Sequence, residues 1–159
     1  AGLDIDNGIA ADERLETSAP GVFAAGDVAN AHHPFYEESI RVEHWANALH
    51  QPEEAAKAML GKPASYDRLP YFFSDQYDVG MEYIGLARAS DDIVFRGDPS
   101  AREFIAFWLH GGLVVAAMNV NVWDVVDQLG DLIRSRAPVG PAKLRDPDVP
   151  LESLAGEGP

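Results

Sequence analysis

The sequence predicts an α+β chain in two parts, a short β–turn–helix unit followed by an antiparallel sheet carrying one helix. Three observations carry this prediction. The run Val22-Phe23-Ala24-Ala25 ends in Gly26-Asp27, the pattern of a strand that delivers a carboxylate to a sheet edge. From about Arg41 to Leu60, apolar residues recur at helical spacing. Beyond Tyr66, four strand-like runs follow one another, two of them joined by Gly111-Gly112, and then comes one amphipathic run.

Taken in order, Asp6-Asn7-Gly8 is a turn signal and Gly8-Ile9-Ala10-Ala11 a brief strand. The strand Val22–Ala25 follows, and the small residues after Gly26-Asp27 suit a helix start. Asn30–Tyr36 reads as a loop because it contains His32-His33-Pro34. In the helical stretch, which begins at about Arg41, Trp45, Leu49, Ala56, Met59 and Leu60 lie near one face. Pro52 lies inside that stretch, but the apolar phase runs through it, so one kinked helix is expected. Gly61-Lys62-Pro63 ends it.

The second part reads as strands at Met81–Ala87, Ile93–Arg96, Phe104–Leu109 and Leu113–Asn119. Asn121, with Asp124 three residues on, reads as a capping box for a final helix. Val122, Val125, Val126, Leu129, Leu132 and Ile133 form its apolar face, and Arg134 and Arg136 suit its C-terminal dipole. Phe104–Leu109 is apolar on both faces, so one face is expected on that helix and the other under some other cover. From Lys143 the chain is polar and Pro/Gly-rich apart from a short Leu151–Leu154 patch, and its last residues are expected to be loosely held. The predicted divisions are 1–65, 66–142 and a tail, 143–159.

Composition narrows the function. With 47% hydrophobic and 24% charged residues the chain is globular rather than disordered. It has no cysteine, which excludes a redox dithiol or thiolate metal site within it. No apolar run approaches the ~20 residues that span a bilayer and no leader opens the chain, so a cytoplasmic location is expected. The net charge of −14 argues against nucleic acid and anionic membranes as partners, and against docking a strongly acidic carrier here.

The motif Thr17-Ser18-Ala19-Pro20-Gly21-Val22-Phe23-Ala24-Ala25-Gly26-Asp27-Val28-Ala29 carries the chemistry. Gly26 lets a ligand come close, and Asp27 offers a carboxylate to ligand hydroxyls, although Gly-Asp alone is equally an ordinary turn with an Asp cap. A second string, Arg41-Val42-Glu43-His44-Trp45-Ala46-Asn47-Ala48, opens the predicted helix. Its free amides can donate to an electron-rich ring edge, and Trp45 can flank a planar ring or simply fill a core. The third, Tyr71-Phe72-Phe73-Ser74-Asp75-Gln76-Tyr77, reads alone as an aromatic strand ending in a turn.

In this order and spacing the three strings resemble the FAD-dependent pyridine-nucleotide oxidoreductases, specifically the ferredoxin reductases of bacterial oxygenase systems. The resemblance implies that Asp27, with Gly26 and Val28, meets the ribityl chain of FAD. It also implies that backbone groups near Glu43, His44 and Trp45 reach the pyrimidine edge. At the place of Phe73 the family carries a tryptophan that borders the flavin; stacking can survive the change, but an indole N–H bond cannot.

Neither glycine-rich nucleotide-binding loop of that family occurs here. The resemblance therefore implies a remnant of a Rossmann-like FAD-binding domain followed by the family's C-terminal domain, holding only a partial FAD site and expected to be inactive alone. The parent would use NAD(P)H and pass electrons to a ferredoxin-type iron–sulfur carrier. NADH or NADPH preference and the identity of the acceptor are not encoded in these residues. The alternative is a flavin-free interaction module, a homodimer through the apolar sheet face. A metal site at His32, His33, Glu37, Glu38, Glu43 and His44 lacks any firm ligand spacing, and no hydrolase nucleophile string occurs.

Overall fold

A computed structural model describes residues 2–156 and divides after Pro70 into two compact units. In the first, β1 (Ile9–Ala11), β2 (Ala29–His33) and β3 (Glu38–Arg41) form a three-stranded sheet in the order β1-β2-β3. β2 lies parallel to β1 and antiparallel to β3. Helix α1 (Trp45–Met59) follows β3. Leu15, Ala31, Ala55 and Tyr66 form the buried core, with Ala11, Phe23 and Ala25 against it. Leu15 enters that core with φ +69, on a turn where the Asp12 carboxylate accepts the N–H groups of Arg14 and Glu16.

Several expectations are corrected here. Val22–Ala25 is not a strand; it makes a single bridge, Phe23 to Glu16. No helix opens at Gly26-Asp27, where one 3-10 turn (Gly26–Val28) leads directly into β2. The expected loop at Asn30–Tyr36 is mostly that strand: its alanines are small enough to be buried between β1 and β3, and the turn comes only after His33. Strand alternation leaves His32 exposed and His33 buried, so they point apart. Helix α1 begins at Trp45, not Arg41, because Glu38–Arg41 pairs with β2. It runs unbroken through Pro52.

The apolar face of α1 is turned outward. The helix buries Asn47, Gln51, Ala55 and Ala58, while Trp45, Leu49, Ala56, Met59 and Leu60 are exposed.

The second unit is a five-stranded antiparallel sheet in the order β4-β5-β8-β7-β6. The strands are β4 (Tyr71–Gln76), β5 (Val79–Gly85), β6 (Asp92–Asp98), β7 (Glu103–His110) and β8 (Leu113–Val120). The four-strand expectation thus gains β4, an edge strand joined to β5 by the tight turn at Tyr77-Asp78. Gly111 (φ +59) and Gly112 (φ +83) make the β7–β8 turn in the left-handed conformation that a two-residue hairpin loop requires.

Helix α2 (Val126–Ser135) lies on one sheet face through Leu129, Leu132 and Ile133. Gly130 brings it close, since a Cβ there would sit 3.1 Å from the Ile84 methyl. Pairing register places Tyr71, Phe73, Glu82, Ile84, Ala117, Asn119, Ile105, Phe107 and Val94 on this same face. The opposite face covers itself in part with its own aromatic rings. Phe72 stacks on Tyr83 at 5.1 Å, Tyr83 meets Trp108 edge-on at 5.7 Å, and Phe95 meets Phe104 at 5.6 Å.

Asn121 does not cap α2. It adopts φ +51, accepts the Gly80 N–H and donates to the carbonyls of Asp78 and Arg102, tying the β4–β5 turn to the start of β7. Helix α3 (Pro141–Arg145) buries Leu144, and Leu151 and Leu154 are buried beyond it. The Arg96 guanidinium donates to the Pro147 and Val149 carbonyls, anchoring this segment to β6. The last residues of the tail, 157–159, lie outside the described residues.

Phe107 is the largest fully buried side chain, in the sheet centre beneath α2. Phe107→Ala is expected to cost about 3–5 kcal/mol in urea unfolding, whereas Phe95→Ala, on the half-open face, costs about 1 kcal/mol.

Candidate functional site

The site is built where the sheet of the first unit meets the start of α1. Gly26 carries φ +78, and a Cβ there would lie 3.7 Å from Ala48, an ordinary contact. Glycine is therefore required by the sign of φ rather than by lack of room. That geometry aims the Gly26 N–H into α1, where it donates to Gln51 Oε1 at 2.7 Å. Asn47, one turn earlier, donates to the Val42 carbonyl at 3.0 Å and lies 3.4 Å from the same Gln51 oxygen. The buried polar face of α1 is thus a clamp on the chain that carries Asp27.

Arg41 completes the clamp from β3, donating to the Asp27 carbonyl at 3.1 Å and pairing with Glu43. The Asp27 carboxylate is left exposed at the surface. Val28 beside it is also exposed.

His44 is the N-cap of α1 with extended backbone (φ −109, ψ 143), makes no side-chain cap, and is followed by no acid in the first turn. The first backward bond of the helix runs from the Ala48 N–H to the His44 carbonyl at 3.0 Å. The amides of Trp45, Ala46 and Asn47 precede it, the ordinary uncapped donors of a helix start. Burial pushes the His44 imidazole below its usual range, and the negative charge of Asp27 pulls it partly back. Asp27 and the α1 N-terminus therefore share one electrostatic neighbourhood.

Six of the sequence-predicted residues, Gly26, Asp27, Val28, Glu43, His44 and Trp45, thus belong to one unit and gather at one junction. Their chemistry fits a flavin: a free carboxylate for hydroxyls, bare helix amides for an electron-rich ring edge, and an exposed indole for a ring plane. A cleft under the buried face of α1, lined by His33, Asn47, Gln51 and Tyr66, holds about 10 Å³, room for one water and no cofactor. Among the described residues, no group of three or more metal-binding side chains could hold an ion. No helix among them is long and apolar enough to cross a membrane.

Phe73 belongs to the second unit, half-exposed on edge strand β4 and paired across the ladder with Glu82. Glu82 joins three strands. It accepts from the Tyr71 hydroxyl at 2.9 Å and from Asn119 Nδ2 at 3.0 Å. Asn119 also donates to the Val122 carbonyl at 2.7 Å, so both partners are acceptors and its amide orientation is set by chemistry. Burial, reinforced by the Glu82 bond and charge, pushes the Tyr71 hydroxyl up to about 12. Sequence reasoning missed Gln51, Asn47, Glu82 and Asn119. The signal for the first two was a polar pair at i, i+4, Asn47 and Gln51, on one face of the helix.

Residues 71–155 match the model of the family described as Reductase C-terminal. Residues 1–52 match that of the pyridine nucleotide-disulphide oxidoreductases. The chain is 38% identical to putidaredoxin reductase of Pseudomonas putida, covering 97% of this chain and 36% of that protein. It is 40% identical to the ferredoxin–NAD(+) reductase component of the anthranilate 1,2-dioxygenase system of Burkholderia cepacia, covering 97% and 38%. It therefore spans a little over a third of the length of these curated relatives. Among solved structures, the covalent putidaredoxin reductase–putidaredoxin complex matches with a TM-score of 0.87 at 37% identity, over 96% of this chain and 37% of that one.

Two outcomes follow from the clamp and its charges. Gln51→Leu strands the Gly26 N–H and is expected to cost about 1–3 kcal/mol of stability; Gln51→Glu, which keeps the acceptor, loses less in the same denaturant titration. His44 titrates in the folded chain below its unfolded value of 6.5. Its contribution to stability is therefore complete above pH 6.5 and lost as pH falls from there through the folded pKa. Asp27→Asn removes the attractive charge and moves the His44 midpoint lower still, as read from the imidazole NMR titration. A midpoint that stays or rises contradicts the assignment.

Proposed function

Because the chain belongs to the reductase C-terminal family, we propose that it is the C-terminal part of an NAD(P)H-dependent flavoprotein reductase that serves a ferredoxin-type iron–sulfur carrier. On this reading residues 1–65 complete a discontinuous FAD-binding domain, 66–142 form the C-terminal domain, and the chain alone is inactive. FAD, held in part by Asp27 and the start of α1, would supply the hydride and single-electron chemistry that links NAD(P)H to the carrier. The residues here bind and orient. Asp27 accepts hydrogen bonds from the ribityl hydroxyls. The first amides of α1 donate to the pyrimidine edge, and Trp45 covers ring surface and excludes water. No general base is required of them.

The observation that carries the reading is the exposed Asp27 carboxylate held beside the uncapped start of α1 by the Gly26–Gln51 bond. The half-open aromatic face of the second unit favours a second reading, a flavin-free dimerisation module. An acidic carrier would be repelled by this segment, whose net charge is −14.

The full-length parent is expected to purify with a flavin absorption band. Asp27→Ala is expected to weaken FAD retention about 10- to 100-fold, since a lost bond to a charged group costs about 1.5–3 kcal/mol. A parent without a flavin band, or an Asp27→Ala variant with unchanged FAD affinity, contradicts the proposal. Sedimentation of the 159-residue chain as a stable dimer, together with a flavin-free parent, establishes the second reading instead.

A further inference from the structure

Asp75 belongs to the Tyr71–Tyr77 string, and no role described above takes it up. On β4 it alternates onto the sheet face that carries α2, and it pairs across the ladder with Gly80. Gly80 is the seat of an indole ring. A Cβ there would lie 2.2 Å from Trp123 Cη2 and 2.9 Å from Asp75 Oδ1, so the glycine is required for room. Ring and carboxylate are therefore immediate neighbours. Trp123 nevertheless stays 53% exposed, which for a flat ring means an open face. Asp75 is exposed too, and among the described residues no ion pair or hydrogen bond holds its carboxylate.

The ring is fixed before any partner arrives. Asn121, two residues earlier, accepts the Gly80 N–H at 2.9 Å and donates to the Asp78 and Arg102 carbonyls. The adjoining Val122 carbonyl accepts from buried Asn119 at 2.7 Å. An anchor held in this way gives up little freedom on binding. Because ring and carboxylate are both exposed, a free small molecule lying on them would keep much of its surface in water. The pair suits a side chain presented by a larger surface.

We propose that Trp123 and Asp75 form a docking point for an arginine side chain projecting from a protein partner, its guanidinium stacked on the indole and its N–H groups donating to the Asp75 carboxylate. Arginine fits because a planar cation with forked donors can meet a ring face and a carboxylate at once, whereas an ammonium is a point charge. Charge complementarity favours such a partner. Asp124 adjoins Trp123 and Asp78 lies on the β4–β5 turn, both exposed, and the net charge of −14 attracts a basic surface. The chain's own Arg102 is engaged by Asp78 at 3.2 Å. A second copy would bring another net charge of −14 and is repelled. The inference stands on the second unit alone and does not depend on the flavin reading.

The peptide acetyl-Gly-Arg-Gly-amide, titrated to millimolar concentration into the isotope-labelled 159-residue chain, tests this at the indole N–H signals of Trp45, Trp108 and Trp123. The Trp123 signal, identified by its loss in Trp123→Phe, is expected to shift saturably while the other two stay in place. Asp75→Asn is expected to weaken the response about threefold to fivefold, the worth of an exposed ion pair. The same peptide with citrulline, which keeps the shape and lacks the charge, is expected to give no shift, and the lysine peptide binds more weakly. Equal shifts at all three indoles, an Asp75→Asn response like that of the parent sequence, or a citrulline peptide that binds as well as arginine overturns the proposal. A lysine peptide that binds equally overturns the assignment to arginine. A Trp123 signal that moves as the chain alone is concentrated overturns it in favour of a second copy.

Discussion

The first unit depends on one buried hydrogen bond, from the Gly26 N–H to the Gln51 side chain. The positive φ of Gly26, at the turn that leads into β2, points that amide inward, away from any strand partner, and a buried donor without an acceptor is costly. Gln51 supplies the acceptor from a position two turns into α1. Because the anchor sits there and not at the first turn, the start of the helix is left free beside Asp27. The same bond accounts for the odd polarity of α1: the helix buries glutamine and asparagine where it grips a backbone turn, while Ala55 further along packs in the apolar core.

The second unit uses a similar device at its edge. Phe73 lies on the outermost strand of the sheet, where pairing on one side alone leaves a strand weakly fixed. The Tyr71–Glu82–Asn119 chain of bonds runs from β4 through β5 to β8 and ties that edge to the sheet centre. In each unit, then, the residues that the resemblance assigns to a cofactor are exposed, and the buried polar groups behind them hold the backbone in place.

Much of this was legible in the residues. The Gly111-Gly112 hairpin, the apolar face of α2 and the Gly26-Asp27 junction are local signals, set by φ preferences and by 3.6-residue periodicity, and they need no knowledge of neighbours. Other elements were misread because a distant segment decides them. Ala29–His33 looks like a loop until β1 and β3 flank it. Asn121 looks like a helix cap until the β4–β5 turn and the start of β7 present a better set of partners.

By itself the sequence determined the class of the fold, the candidate junction and the resemblance that names a cofactor, because these reside in residue identity and short-range spacing. Only the tertiary structure decided which face of α1 is buried. Periodicity reports that a helix has an apolar side, but not whether the inward side is that one. Here a single backbone amide needing an acceptor reversed the choice, turning the apolar stripe outward and Gln51 in.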